Sequence, residues 1–322
     1  MSGRASRPRL LIITLAVLLT AGYYMLPSGR GVAPSQPAQA ATEHMLSAMR
    51  TISAARSRLL PDESFEYDMN GTGLIGLSWS EITTSGGNRE AKRTATDPLW
   101  AGVLAGWFTE AGLQAGDVVA ASFSGSFPGL NLAVISAARA LDLQLIAIAS
   151  VGASNYGANH PLFTWPDMEL ALLGDGWPAR FLSRATAMGG SGDMATGLEQ
   201  GGRSMIRAAM ERRGVRQLLG TGLGDMAARR LDYFRTEAGR TERDISLYVN
   251  VGGASASTGF CPDWVELGHG FIDSLPDCPG GRRGVMHEML DAGVPVLHLL
   301  NVRALAAEAG IPIDRRFRLQ PD

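Results

Sequence analysis

Residues 117–150 read DVVAASFSGSFPGLNLAVISAARALDLQLIAIAS. An apolar run predicts a strand over 118–122, the periodicity that follows predicts a helix over 128–141, and a second apolar run predicts a strand over 144–149. Neither run alternates apolar with polar residues, which is typical of parallel strands covered on both faces. The stretch therefore predicts a βαβ unit of an α/β protein.

Two further apolar runs, 245–251 and 294–300, extend this pattern. Strands separated by helical segments predict a doubly wound, mainly parallel sheet with helices on both faces. Right-handed crossovers would bring the carboxyl ends of all these strands to one edge of the sheet. We assign this α/β domain to residues 42–322, with an amphipathic helix from Thr42 to about Leu60.

Small polar residues follow the predicted strands. Ligands of open α/β sheets bind at the carboxyl ends of the strands, and hydroxyl groups and helix N-termini there suit anions. Glycine and serine also make the tight turns and caps that such loops need, so a purely structural role is the alternative. The candidate ligand-binding residues at this edge are Ser122, Ser124, Gly125, Ser126, Ser154, Asn155, Asn250 and Gly253.

A polar segment, residues 70–98, contains the only lysine of the chain, Lys92, followed by Arg93. These two side chains are candidates for the positive charge that a carboxylate ligand needs. A solvated pair on a loop is the alternative. With no second lysine, the chain cannot contain the GxxxxGK[ST] loop of nucleotide-hydrolysing enzymes.

A serine hydrolase or transferase is the enzymatic alternative. Ser124 stands in SFSGS, which partly matches the G-x-S-x-G nucleophile elbow, and Asp291 and His298 follow in the chain order of a catalytic triad. Catalysis requires a general base beside Ser124, whereas binding requires only hydrogen-bond donors.

The N-terminal region predicts a membrane anchor. A basic segment, 1–9, precedes an uncharged apolar run, 10–26, and a Pro/Ser/Ala-rich linker, 27–41. Such a run is just long enough to cross a bilayer, and the arginines place the N-terminus in the cytoplasm and the main domain outside it. A signal peptide cleaved near Ala40 is the alternative.

Net charge and cysteine content restrict the classes of ligand and cofactor that the chain can be expected to bind. A net charge of −2 gives no reason to expect nucleic-acid binding. Cys261 and Cys278 are disulfide candidates in an extracytoplasmic domain, with two free thiols as the alternative. No CxxC motif occurs, and we predict neither a metal site nor a cofactor.

Four stretches resemble the poly-gamma-glutamate system protein family. They are TTSGGNREAKRTATDP (83–98), SGSFPGLN (124–131), SVGASNYGANHPLFTWPDME (150–169) and the GGSGD of 189–193. The resemblance implies a membrane-anchored protein that works with the poly-gamma-glutamate synthesis and export complex. It supplies a pathway but no reaction, and an anionic carboxylate polymer becomes the expected ligand.

A second, local resemblance covers residues 117–150. They are similar to the sugar isomerase (SIS) phosphosugar-binding motif, a strand followed by a serine cluster and a helix. This resemblance implies that Ser122, Ser124 and Ser126 would contact a phosphate. Phe127 departs from that motif.

Overall fold

The computed structural model describes residues 35–262 and 267–319. The predicted basic segment, membrane anchor and most of the predicted linker lie outside these ranges. Across the described ranges, no helix is both long and apolar enough to span a bilayer.

The first described helix, α1 (Gln36–Leu59), begins inside the predicted linker, 27–41. The predicted linker therefore extends too far toward the C-terminus. Its proline, Pro37, lies in the first turn of α1, where a helix tolerates proline because the N–H groups of that turn have no partner within the helix. Ala41 and Met45 are fully buried, so the first turns already pack on the domain.

Within the described residues, seven strands form the main sheet. In spatial order they are β6 (Arg216–Leu218), β5 (Ala185–Gly189), β2 (Gln144–Gly152), β1 (Val118–Ser124), β7 (Ile245–Val251), β9 (Val296–Leu299) and β8 (Gly270–Ile272). Only β8 runs antiparallel. The four predicted strands are confirmed as β1, β2, β7 and β9, whereas β5, β6 and β8 were missed. A separate pair, β3 (Asn159–His160) and β4 (Phe163–Thr164), forms a small hairpin.

The remaining helices cover the sheet. They are α2 (Arg89–Thr94), α3 (Leu99–Glu110), α4 (Pro128–Ala140), α5 (Trp165–Gly174), α6 (Gln200–Arg213), α7 (Leu223–Gly239), α8 (Ser255–Thr258), α9 (Val285–Asp291) and α10 (Val302–Glu308), with a 3₁₀ turn at Ala179–Phe181.

Both faces of the sheet are buried. On β1, Val119, Ala121 and Phe123 belong to the hydrophobic core shared with α1, α3 and α4. Val118 and Ala120 belong to the opposite core, shared with α7 and α9. Because each strand packs on two sides, its sequence is apolar without alternation, as predicted.

The direction of strand addition reverses between β1 and β7. From β1 the chain adds β2, β5 and β6 on one side, then returns to place β7 on the other. Such a reversal opens a crevice at the carboxyl ends of the two central strands. The functional site is therefore expected beside the end of β1.

The disulfide Cys261–Cys278 is present in the structure. The prediction of a disulfide is confirmed, and the alternative of two free thiols is wrong.

We predict that Gly129→Ala lowers stability by about 2 kcal/mol, because a methyl group on its Cα would lie 2.2 Å from the Ala95 carbonyl oxygen. This contact docks the start of α4 on the turn after α2. The matched control is Gly106→Ala in α3, which has open space around it and should gain up to about 1 kcal/mol. Urea unfolding measures both, and equal stability of the two variants would contradict the close contact.

Candidate functional site

A cavity of about 600 Å³ lies at the carboxyl edge of the sheet, beside the reversal point. Five loops and the start of α10 meet around it, and most of its walls are hydroxyl, amide or glycine residues. The residues that line it are Thr84, Ser85, Gly86, Gly87, Asn88, Ala91, Lys92, Ser124, Ser126, Phe127, Ser150, Gly152, Ser154, Gly190, Ser191, Gly253, Ala254, Ser255, Leu300, Asn301, Val302 and Arg303.

Lys92 is buried in the wall of this cavity, with 3% of its surface exposed. It lies on α2, a short helix capped by the side chain of Asn88. Its Nζ donates to the Ser126 carbonyl oxygen and, at 2.6 Å, to Ser154 Oγ. The centroid of the Phe127 ring lies 3.8 Å from Nζ. Lys92 is therefore not the solvated loop residue that the sequence left open.

Burial lowers the pKa of Lys92 from 10.5 to about 7. The cause is desolvation, which disfavours the charged form of an amine. Of the described residues that line the cavity, none is acidic, so no carboxylate counters this effect. The amine is thus poised to gain or lose a proton near neutral pH.

Two ion pairs hold α2 in place. Arg93 pairs with Asp314, and Nε lies 2.6 Å from Oδ1. Asp97 receives two hydrogen bonds from Arg315, at 2.6 and 2.8 Å. Arg93 was predicted to bind ligand, and the structure corrects this: its guanidinium is engaged by the C-terminal segment and does not line the cavity.

The structure brings five predicted residues together in the cavity lining, namely Lys92, Ser124, Ser126, Ser154 and Gly253. Two others, Gly125 and Asn155, are not among the lining residues. A side chain on Gly125 would meet the Val151 carbonyl oxygen at 2.6 Å, so this glycine serves close packing. Asn155 is half-buried, and its Oδ1 accepts no hydrogen bond from the described residues.

Ser122 belongs to a buried polar network and does not reach the cavity. Its Oγ accepts from the Tyr248 hydroxyl at 2.8 Å and from Arg230 at 3.2 Å. Arg230 is fully buried and also pairs with Asp193 and donates to Ser150 Oγ. Ser122 shares a face of β1 with Val118 and Ala120, which pack on the α7 side, and it lies two residues before the end of the strand. It was predicted to contact the ligand but does not line the cavity.

Asn250 is likewise corrected. It is fully buried on β7, where its Nδ2 donates to the Gly252 carbonyl oxygen and lies 2.9 Å from His298 Nδ1. Its amide therefore ties neighbouring strand ends together and is not in the cavity lining.

The triad proposed around Ser124 is not assembled. Ser124 Oγ accepts from the Ser126 N–H at 3.1 Å, and no histidine or carboxylate of the described residues is hydrogen-bonded to it. His298 lies against Asn250, and burial lowers its pKa to about 4. Asp291 pairs with Arg283 on the protein surface. The hypothesis of a Ser124–His298–Asp291 catalytic triad is therefore wrong.

Sequence reasoning missed two parts of the site. Ser191 enters from the glycine-rich loop after β5, a strand that was not predicted. Gly87 brings the loop before α2 against the lysine: a methyl group on its Cα would lie 3.0 Å from Lys92 Cε and 3.2 Å from Ser154 Oγ. The signal was the Gly86-Gly87 pair in TTSGGN, next to the lone lysine.

A second cavity, of about 1310 Å³, lies beside the disulfide. Its lining mixes Arg282 and Arg283 with Asp273, Asp277 and Asp291, so opposite charges offset each other there. The smaller cavity is the better candidate because its charged groups share one sign and one of them is buried.

We predict that the stability of the native protein rises with pH above 7 relative to Lys92→Met. The folded pKa of about 7 lies below the unfolded value near 10.4, so between these values the unfolded chain binds more protons. The expected slope is up to about 1.4 kcal/mol per pH unit. Urea unfolding at pH 7, 8 and 9 measures it, and Lys92→Arg should lack it. Parallel pH profiles of native protein and Lys92→Met would contradict the shifted pKa.

Comparison with known proteins adds no constraint on this site. No family model matches the chain, and no curated protein matches it significantly. What the cavity does must therefore be argued from its own geometry, together with the sequence resemblances.

Proposed function

We propose that the cavity binds carboxylate groups of an anionic chain. The observation that supports this most directly is the composition of the lining: Arg303 is cationic, Lys92 becomes cationic when protonated, hydroxyl groups are plentiful, and no acidic residue is among the described lining residues. Cations with hydroxyl donors match a carboxylate in both charge and hydrogen-bonding capacity.

Arg303 supplies the permanent charge. It lies at the start of α10, its side chain is 64% exposed, and Nε is 3.3 Å from Glu90 Oε1. An exposed pair of this kind is weak, so an incoming carboxylate can displace Glu90. The Arg303 fork then offers two parallel hydrogen bonds.

Lys92 adds charge only when it is protonated. A carboxylate placed near Nζ favours the ammonium form and raises its pKa. A ligand that contacts Lys92 directly should therefore take up a proton on binding at neutral pH, whereas a ligand held by Arg303 alone should not.

A single carboxylate suits this site better than a phosphate. In the SIS motif the start of the helix after the serines holds the phosphate. Here Pro128 stands at the first position of α4 and has no N–H, and the Phe127 N–H already bonds to the Ser124 carbonyl oxygen. Two donors that a phosphate would use are therefore missing.

The sequence resemblance suggests where this binding is used. We propose that the protein is a single-pass component of the cell membrane, with its main domain outside the cytoplasm. There it would bind poly-γ-glutamate, working with the synthesis and export complex. The γ-linked polymer carries one free carboxylate per residue, which suits a site that binds a single carboxylate.

Isothermal titration with short γ-linked glutamate oligomers tests the proposal on the full-length protein in mild detergent. We expect binding that weakens at least tenfold in Arg303→Ala and strengthens in Glu90→Gln, because the latter frees Arg303. Arg58→Ala, an exposed arginine of α1, is the matched control and should bind normally.

Two comparisons complete this experiment. Oligomers with amidated carboxylates should not bind, since the proposal rests on their charge. Repeating the titration in buffers of different ionisation enthalpy counts protons taken up through Lys92. Equal binding by native protein, Arg303→Ala and Lys92→Met would refute the site.

A further inference from the structure

Ser154 and Lys92 form a pair that carboxylate binding does not require. Nζ and Oγ are 2.6 Å apart, and both side chains are at least 95% buried while lining the cavity. No acidic side chain of the described residues pairs with this lysine. A buried lysine outside an ion pair, hydrogen-bonded to a serine hydroxyl, has the arrangement of a base beside a nucleophile.

The surroundings of Nζ orient this amine. One N–H points to the Ser126 carbonyl oxygen, and the Phe127 ring covers another side. A neutral amine has two N–H groups and one lone pair. With an N–H committed to Ser126, the lone pair can be directed at Ser154 Oγ and accept its proton.

We infer that Ser154 is a nucleophile and Lys92 its general base in an acyl-transfer reaction on a carbonyl group bound in the cavity. For the class of substrate, the inference rests on the proposed function: Arg303 would hold a carboxylate, and the reacting carbonyl would belong to an amide of the same chain. The assignment of Ser154 and Lys92 as a catalytic pair rests only on their contact and burial, and does not depend on the identity of the ligand.

The reaction balances with these two side chains and water. Ser154 Oγ attacks the carbonyl carbon as its proton passes to Lys92 Nζ, and the bond from that carbon to the leaving amine breaks. The amine departs with the proton from the Lys92 ammonium, leaving an acyl ester on Ser154. Water, or a second amine, then attacks the ester while Lys92 takes its proton, and Ser154 regains a proton as the ester bond breaks.

The loop before α2 can stabilise the developing oxyanion. Gly87 lies directly against Ser154 Oγ, at the contact distances given above. The N–H of Gly87 donates to no acceptor among the described residues. A free backbone N–H beside a nucleophile is a usual component of an oxyanion hole.

This inference reassigns the nucleophile that the sequence suggested. Ser124 partly matches a nucleophile motif but has no base, whereas Ser154 matches no nucleophile motif and has a base. The two serines line the same cavity, so an experiment that identifies the modified residue separates them.

An active-site-directed fluorophosphonate tests the inference on the full-length protein. Ser154 Oγ should attack phosphorus and expel fluoride, and peptide mapping by mass spectrometry should place the adduct on Ser154. Ser154→Ala should lose the adduct, and Lys92→Met should slow labelling at least about 100-fold. Ser57→Ala, an exposed serine of α1, is the control and should label at the native rate.

Lys92→Arg adds a variant that keeps the charge but cannot act as a base, and it should also fail to label. If Lys92→Met does not fold, the native protein alone still tests the role of Lys92, because its labelling rate should rise with pH around a midpoint near 7. The charged groups on the adjacent elements are Arg303, paired with Glu90, and Arg93, paired with Asp314.

An adduct on Ser124, no adduct at all, or a labelling rate independent of Lys92 would overturn the inference. The probe carries no carboxylate, so labelling without oligomer binding would mean that the proposed ligand is wrong and the pair is right. Oligomer binding without labelling would mean that the proposed ligand is right and that the serine-lysine pair is not catalytic.

Discussion

The structure at this edge of the sheet depends on the burial of one amine. The side chain of Lys92, on the short helix α2, is buried and connects three segments of the chain. It joins its own helix to the turn after β1, through Ser126, and to the loop after β2, through Ser154. Removing an ammonium from water without a carboxylate partner is costly, and the chain reduces that cost by letting the amine lose its proton near neutral pH.

The rest of the fold keeps this amine in place. Arg93 and Asp97 fix α2 to the C-terminal segment through Asp314 and Arg315, and the start of α4 docks on the turn after α2. Below the cavity, Arg230 and Asp193 form a fully buried pair that holds the glycine-rich loop after β5. Fixed elements on every side allow an uncharged amine and a serine to keep one relative geometry.

Much of the fold was predictable because its central strands are continuous apolar runs. β5, β6 and β8 were missed because they are short and lie toward the sheet edges, where Ala185–Gly189 and Arg216–Leu218 lack a strong apolar signal. Ser122 and Ser124 lie two residues apart on the same face of β1, and only Ser124, at the last position of the strand, lines the cavity. The error at Ser122 arose because the sequence did not specify how far along the strand the cavity begins. The pairing of Lys92 with Ser154 joins segments 62 residues apart and needed the tertiary structure.

The titration of the Lys92 amine near neutral pH can be measured directly. Because it is the only lysine, protein labelled with ¹³C-lysine gives one side-chain signal, and its chemical shift can be followed by NMR from pH 5 to 11. We expect a midpoint near 7 in the free protein. A midpoint near 10.5 would show a solvated ammonium and contradict both the buried site and the serine-lysine pair.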